Sequence, residues 1–203
     1  FFDKNFYPVS LFYLGMTTLF NDYRMMLPNL TMRSIYMDYY NVLNRIDGGA
    51  MRYAPVYERF VDERDFESLV RNYFEQYLGQ FPAQVFDKIN ENFIRCSFFE
   101  LVSRYLSSCY TFAIEQNNSE GRADFEMTGI PGTDYYTDDR LVEFKYYKAK
   151  EAEKMLASDA PLPEHVEQVH RYAEDTLRHF PNYKVRTYVV YICANRGWKC
   201  WEV

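Results

Sequence analysis

Three residue types at particular spacings could do chemistry together here: Asp124, Glu143 and Lys145. Residues two apart in a β-strand share a face, so a strand over residues 123–128 points Asp124, Glu126 and Thr128 one way. A strand over residues 141–147 likewise points Glu143 and Lys145 one way, opposite Val142, Phe144 and Tyr146. If the two strands pair as a hairpin, two carboxylates and an amine meet beside one polar opening. Carboxylates are the oxygen ligands that Mg²⁺ prefers. Such an ion lowers the pKa of a water and stabilises charge on a phosphoryl oxygen. A lysine beside it supports the attacking water or the charge that develops on phosphorus. The opposing reading is an ordinary solvated ion pair, worth about 0–1 kcal/mol. The turn at Gly121-Arg122-Ala123, followed by a gap of hairpin length before Val142-Glu143-Phe144-Lys145, favours the first reading.

The surrounding pattern supplies elements that could position those groups. Residues 93–106 repeat Ile94, Phe98, Leu101 and Tyr105 on one stripe and predict an amphipathic helix. Residues 110–115 alternate as a strand, 117–121 turn, and a loop with Gly129, Pro131 and Gly132 joins the next two strands. A long helix is expected over 163–180, followed by a β-branched strand over 185–193 and a last strand over 198–203. On that helix Gln168 and Tyr172 stand four apart, hence on one face. The order is helix, three strands, helix, two strands. It predicts an α/β (α+β) fold with a mixed central sheet flanked by helices.

Residues 1–80 are rich in Tyr, Phe and Met. Short apolar runs at 11–15 and 23–27 suggest a hairpin around Asn21-Asp22. Helices are expected over 31–44 and 66–77, with a break at Gly48-Gly49. This half carries no chemistry of its own, and its aromatic stripes read as core.

Composition narrows the function classes. No window approaches 18 uninterrupted apolar residues, so no membrane span is expected. Cys96, Cys109, Cys193 and Cys200 include no C-x-x-C pair and read as reduced thiols of a cytoplasmic protein. His165, His170 and His179 include no i, i+4 pair and read as solvated or packed helix residues. Residues 81–203 hold 15 Lys plus Arg against 19 Asp plus Glu, a net charge of −4. A domain that grips duplex DNA through phosphate neutralisation is usually basic, so any such contact must be local or assisted. The start, Phe1-Phe2-Asp3-Lys4, reads as a cut from a longer polypeptide rather than a signal peptide.

Taken together, G-R-A-D-F at 121–125, L-V-E-F-K at 141–145 and E-Q-V-H-R-Y at 167–172 resemble the PD-(D/E)xK nuclease superfamily, including the Q-x-x-x-Y helix of its RecB-like branch. More narrowly, the chain resembles the C-terminal nuclease domain of bacterial proteins with an AAA-ATPase-like N-terminal region, through L-F-Y-L-G at 11–15, L-P-N at 27–29 and W-K-C-W at 198–201. The resemblance implies a restriction-endonuclease-like core (αβββαβ) over 81–203. Residues 1–80 would be a mainly helical connector, the tail of an upstream ATPase-like domain. It implies Mg²⁺ or Mn²⁺ held by Asp124, Glu143 and the main-chain carbonyl of Phe144, with Lys145 catalytic. Gln168 and Tyr172 would orient the site or touch the DNA backbone, with Arg122 beside them. An acidic residue of the first helix completes such sites. Glu91 is the first candidate and Glu100 the second, while Glu115 ends a strand facing the same cleft. The substrate implied is DNA, with RNA as the second class. Ala123 stands where the family's name-giving motif has proline, and no phosphate-binding loop occurs in the chain. The competing classes are a non-catalytic module on the same fold, which binds nucleic acid or protein, and a scaffold whose Glu143 and Lys145 merely pair on a surface.

Overall fold

The computed structural model describes residues 7–21, 24–29, 31–32, 35–36, 39, 49–114 and 123–203. It divides into two compact units, 1–52 and 53–203. In the first, helix α1 (Tyr7–Tyr13) precedes a two-stranded hairpin of β1 (Thr18–Asn21) and β2 (Arg24–Met26), with Thr18 opposite Met26. The hairpin turns where expected. Its first strand lies at Thr18–Asn21, however, because residues 11–13 belong to the helix. Within the expected helix over 31–44, the described positions 31–32, 35–36 and 39 are helical, and 40–44 lie outside the described residues.

The second unit opens within helix α2 (Gly49–Glu63), an element the sequence disguises with Gly49 at its start and Pro55 inside it. Tyr53, Tyr57 and Phe60, spaced by four and three, are its buried face. Arg64 takes a positive φ of 60° and turns the chain into α3 (Phe66–Asn72). The Asp65 carboxylate caps this helix by accepting from the Ser68 N–H at 3.2 Å. The helical path continues through a π-turn (Tyr73–Tyr77), a 3₁₀ turn (Leu78–Gln80) and the short α4 (Ala83–Phe86).

Helix α5 (Glu91–Leu106) starts at Asn90, whose side chain accepts from the Phe93 N–H at 3.0 Å. Strands β3 (Tyr110–Ile114), β4 (Phe125–Gly129) and β5 (Asp138–Tyr147) follow. Helices α6 (Ala149–Leu156) and α7 (Pro163–His179) come next, then β6 (Lys184–Cys193) and β7 (Gly197–Glu202). The five strands form one sheet in the order β3-β4-β5-β6-β7, in which only β5 and β6 run parallel. The expected mixed sheet flanked by helices is therefore present, and its architecture is restriction-endonuclease-like. Helix α6 was not expected; it is short, and its Lys and Glu residues look like loop.

The period of two sends alternate side chains of β5 into different layers. Val142 and Phe144 join Phe98 of α5, Phe125 and Val190 in one apolar core. Leu141 enters the other, with Ala152, Met155, Val169, Val189 and Tyr191 under α6 and α7. At Gly129 an added Cβ would stand 1.6 Å from the Tyr135 carbonyl oxygen, so only glycine lets the β4–β5 connection fold back this closely. That connection holds the register of the strands that carry the site.

Candidate active site

In the β4–β5 pair Phe125 stands opposite Val142 and Glu126 opposite Leu141. One step further, at the mouth of the pair, Asp124 meets the level of Glu143. The hairpin inferred from alternation is thus the one that forms, and Glu143, which the scaffold reading would leave on a surface, is buried.

Asp124 and Glu143 are buried, at 3% and 0% exposure. The Asp124 Oδ2 accepts the Phe144 main-chain N–H at 2.9 Å, and its Oδ1 receives the Arg95 Nη1 at 2.7 Å. Glu143 Oε1 lies 2.6 Å from the Lys145 Nζ, whereas its Oε2 has no hydrogen-bond partner among the described residues. Glu91 reaches Lys145 from the first turn of α5 at 3.4 Å. One amine is therefore shared between carboxylates from two elements.

These placements set the protonation chemistry. Burial raises the Asp124 pKa, against the lowering influence of Lys145, Arg95 and the Phe144 N–H. Burial, then the negative charge of Asp124, pushes Glu143 up to about 7. Burial opposes the charge on Lys145, yet Glu143, Asp124 and Glu91 outweigh it and carry its pKa above the ordinary lysine value. The lysine is accordingly a fixed cation at neutral pH.

Of the two acids considered on the first helix, Glu91 is at the site. Glu100 instead pairs with Arg104 on an exposed part of α5. Gln168 donates to the Tyr172 hydroxyl at 3.4 Å, and among the described residues neither is hydrogen-bonded to Asp124, Glu143 or Lys145. Tyr172 packs on the second core. Arg122 and Glu115 lie outside the described residues.

Two neighbours were not anticipated. Arg95 sits four residues after Glu91, on the same helical face, a spacing that could have flagged it. His165 is buried at the start of α7, with Nδ1 2.7 Å from the Tyr191 hydroxyl. Burial first and the Lys145 charge second lower its pKa, so it stays neutral near the site.

A family model described as the PD-(D/E)XK nuclease superfamily matches residues 89–202, more than half of the chain. The chain belongs to the PD-(D/E)XK nuclease superfamily. A search of curated proteins finds no match. The matched span runs from the turn before α5 to the end of β7 and contains every charged side chain of the site. Superfamily members are typically nucleases that use divalent ions. Among the described residues, no group of three or more His, Cys, Asp or Glu is arranged to hold a metal. Mg²⁺ requires fewer side chains than that, because it keeps several of its waters. A buried carboxylate with one oxygen unpartnered, acting electrostatically on a second buried carboxylate, is what such an ion would satisfy. The residues fit. The four cysteines are all free thiols, and among the described residues no helix is long and apolar enough to cross a membrane.

Proposed function

We propose that this PD-(D/E)XK protein is a Mg²⁺- or Mn²⁺-dependent nuclease that hydrolyses DNA phosphodiester bonds. RNA is the second substrate class. The observation that carries the proposal is the buried Glu143, which holds Lys145 with one oxygen and keeps the other unpartnered beside Asp124. Asp124, Glu143 and the main-chain carbonyl of Phe144 would hold the ion, and it would supply Lewis acidity toward water and a phosphoryl oxygen. Lys145, whose pKa is carried above the ordinary lysine value by Glu143, Asp124 and Glu91, can donate to a phosphate oxygen and offset charge that grows there. Glu91 holds the lysine in position. Gln168, Tyr172 and Arg122 would orient the site or contact the nucleic-acid backbone. The reading includes an ATPase-like region upstream in the same polypeptide, which rests on resemblance, and a cytoplasmic location, which rests on the four free thiols.

The test is cleavage of plasmid and of labelled oligonucleotides, with and without Mg²⁺ or Mn²⁺. Asp124→Ala and Lys145→Ala are each expected to reduce the rate by on the order of 10²–10³-fold. Activity that survives both substitutions refutes the assignment. A second reading, favoured by the net charge of −4 over residues 81–203, is a non-catalytic module that binds nucleic acid or protein. Metal-independent DNA binding, with no cleavage in any divalent ion, would establish it instead.

A further inference from the structure

We infer that Arg95 is a built-in competitor of the metal ion: its guanidinium holds Asp124 in the metal-free protein and sets how tightly a divalent cation binds. The inference rests on the metal-dependent reading above. Asp124 has no idle oxygen in this structure. Oδ2 is taken by the Phe144 N–H and Oδ1 by Arg95 at 2.7 Å, a contact between two largely buried side chains exposed by 16% and 4%. The neighbouring carboxylate differs, since Glu143 meets a lysine through one oxygen and leaves the other without a partner. A divalent ion could therefore approach Glu143 directly. To take Asp124 Oδ1 as well, it must either displace the guanidinium or sit against it, like charge to like charge.

The effect has a recognisable size. A cation within about 4–6 Å of a carboxylate weakens proton binding there by roughly ten- to a thousandfold. A cation competing for the same oxygen meets the same opposition. Arg95 acts on the ion through Asp124, so it is a positioning residue. Its counterweight is structural: without metal, the arginine keeps a buried carboxylate from standing unpaired.

The experiment is isothermal titration of Mn²⁺ into the full chain and its Arg95→Gln, Arg95→Lys and Asp124→Asn variants, with the melting temperature recorded before and after saturation. Arg95→Gln is expected to bind Mn²⁺ about tenfold or more tightly than wild type, melt lower without metal, and gain more on saturation. Arg95→Lys, which keeps the charge, is expected to bind much as wild type does. If Arg95→Gln binds with equal or weaker affinity while Asp124→Asn loses binding, the competitor role is overturned and the metal reading stands. If wild type and Arg95→Gln bind no Mn²⁺, the metal reading is overturned and this inference falls with it. Should Arg95→Gln fail to fold, the ¹⁵N–¹H signal of the Arg95 Nε in wild type decides. A shift on Mg²⁺ addition supports displacement, and an unmoved signal at saturation overturns it.

Discussion

Strand β5 buries carboxylates at its start and again midway, at Glu143, and treats the two differently. Near its start, Asp138 Oδ2 accepts from the Tyr110 hydroxyl at 2.7 Å, the Arg64 Nη1 at 3.1 Å and the Arg140 Nε and Nη2 at 3.2 and 3.1 Å. Arg140 is itself fully buried, donates to the Arg64 carbonyl at 3.0 Å and lies over the Phe60 ring. Asp138 and Arg140 are thus fully partnered. Glu143 is as deeply buried, yet among the described residues its Oε2 has no hydrogen-bond partner, and its pKa rises to about 7. Buried polar groups in a fold are ordinarily satisfied. The Asp138–Arg140 cluster therefore reads as structure, and Glu143, with Asp124 and Lys145 beside it, as a place kept ready for a ligand.

If the contrast is real, conservative substitutions at the two places should have opposite signatures. Arg140→Met leaves Asp138 buried with two partners instead of three and is expected to lower stability by about 3–5 kcal/mol in urea unfolding. Glu143→Gln removes an ill-satisfied charge and should leave stability unchanged or raised, while abolishing cleavage. Equal destabilisation by both would erase the distinction.

Asp139, the residue after Asp138, sets the limit of the contrast. One of its oxygens accepts from the Thr128 hydroxyl at 3.0 Å and the other has no partner. Burial, then the Glu126 charge and Asp138, raise its pKa to about 7, against the Thr128 hydroxyl and the Arg140 N–H. The unfolded chain thus releases this proton near pH 4, while the folded chain keeps it until about 7. Its contribution to stability is fully present below the unfolded value and is lost as pH rises through 7. Asp139→Asn should flatten that loss, by on the order of 2–4 kcal/mol between pH 4 and pH 8. Glu143 tilts the curve in the same direction, so only the difference between variant and wild type isolates Asp139. A variant whose stability profile keeps the wild-type slope would show that Asp139 is ionised throughout.

How far the sequence reveals such a site depends on where each partner comes from. Asp124, Glu143 and Lys145 were legible because alternation within two adjacent strands is a local rule. The long helix α7 and the apolar β6 were legible for the same reason. The first residues of β5 were not: Asp138, Asp139 and Arg140 look like a solvated loop, and partners from other elements, among them Arg64, Tyr110, Phe60, Thr128 and Tyr188, make their burial tolerable. Helix α2 was hidden by Gly49 and Pro55. Arg95 could be placed on the face of Glu91 from spacing alone, but its pairing with Asp124 is tertiary, as is the burial of His165 against Tyr191.

The smallest expected effect concerns the face of α7. Gln168 and Tyr172 were linked to the site by resemblance, but among the described residues their side chains are hydrogen-bonded to each other, at a long 3.4 Å, and not to the site. A group that touches the substrate backbone without meeting the reacting phosphate contributes equally to ground and transition states, so its loss should raise KM and spare kcat. Tyr172→Phe is accordingly expected to weaken kcat/KM less than tenfold, about 1 kcal/mol, almost entirely through KM on an oligonucleotide substrate. A kcat loss comparable to that of Lys145→Ala would place the Tyr172 hydroxyl among the reacting groups. The catalytic site would then extend from β5 onto α7, and charge burial along one strand would no longer mark where the chemistry stops.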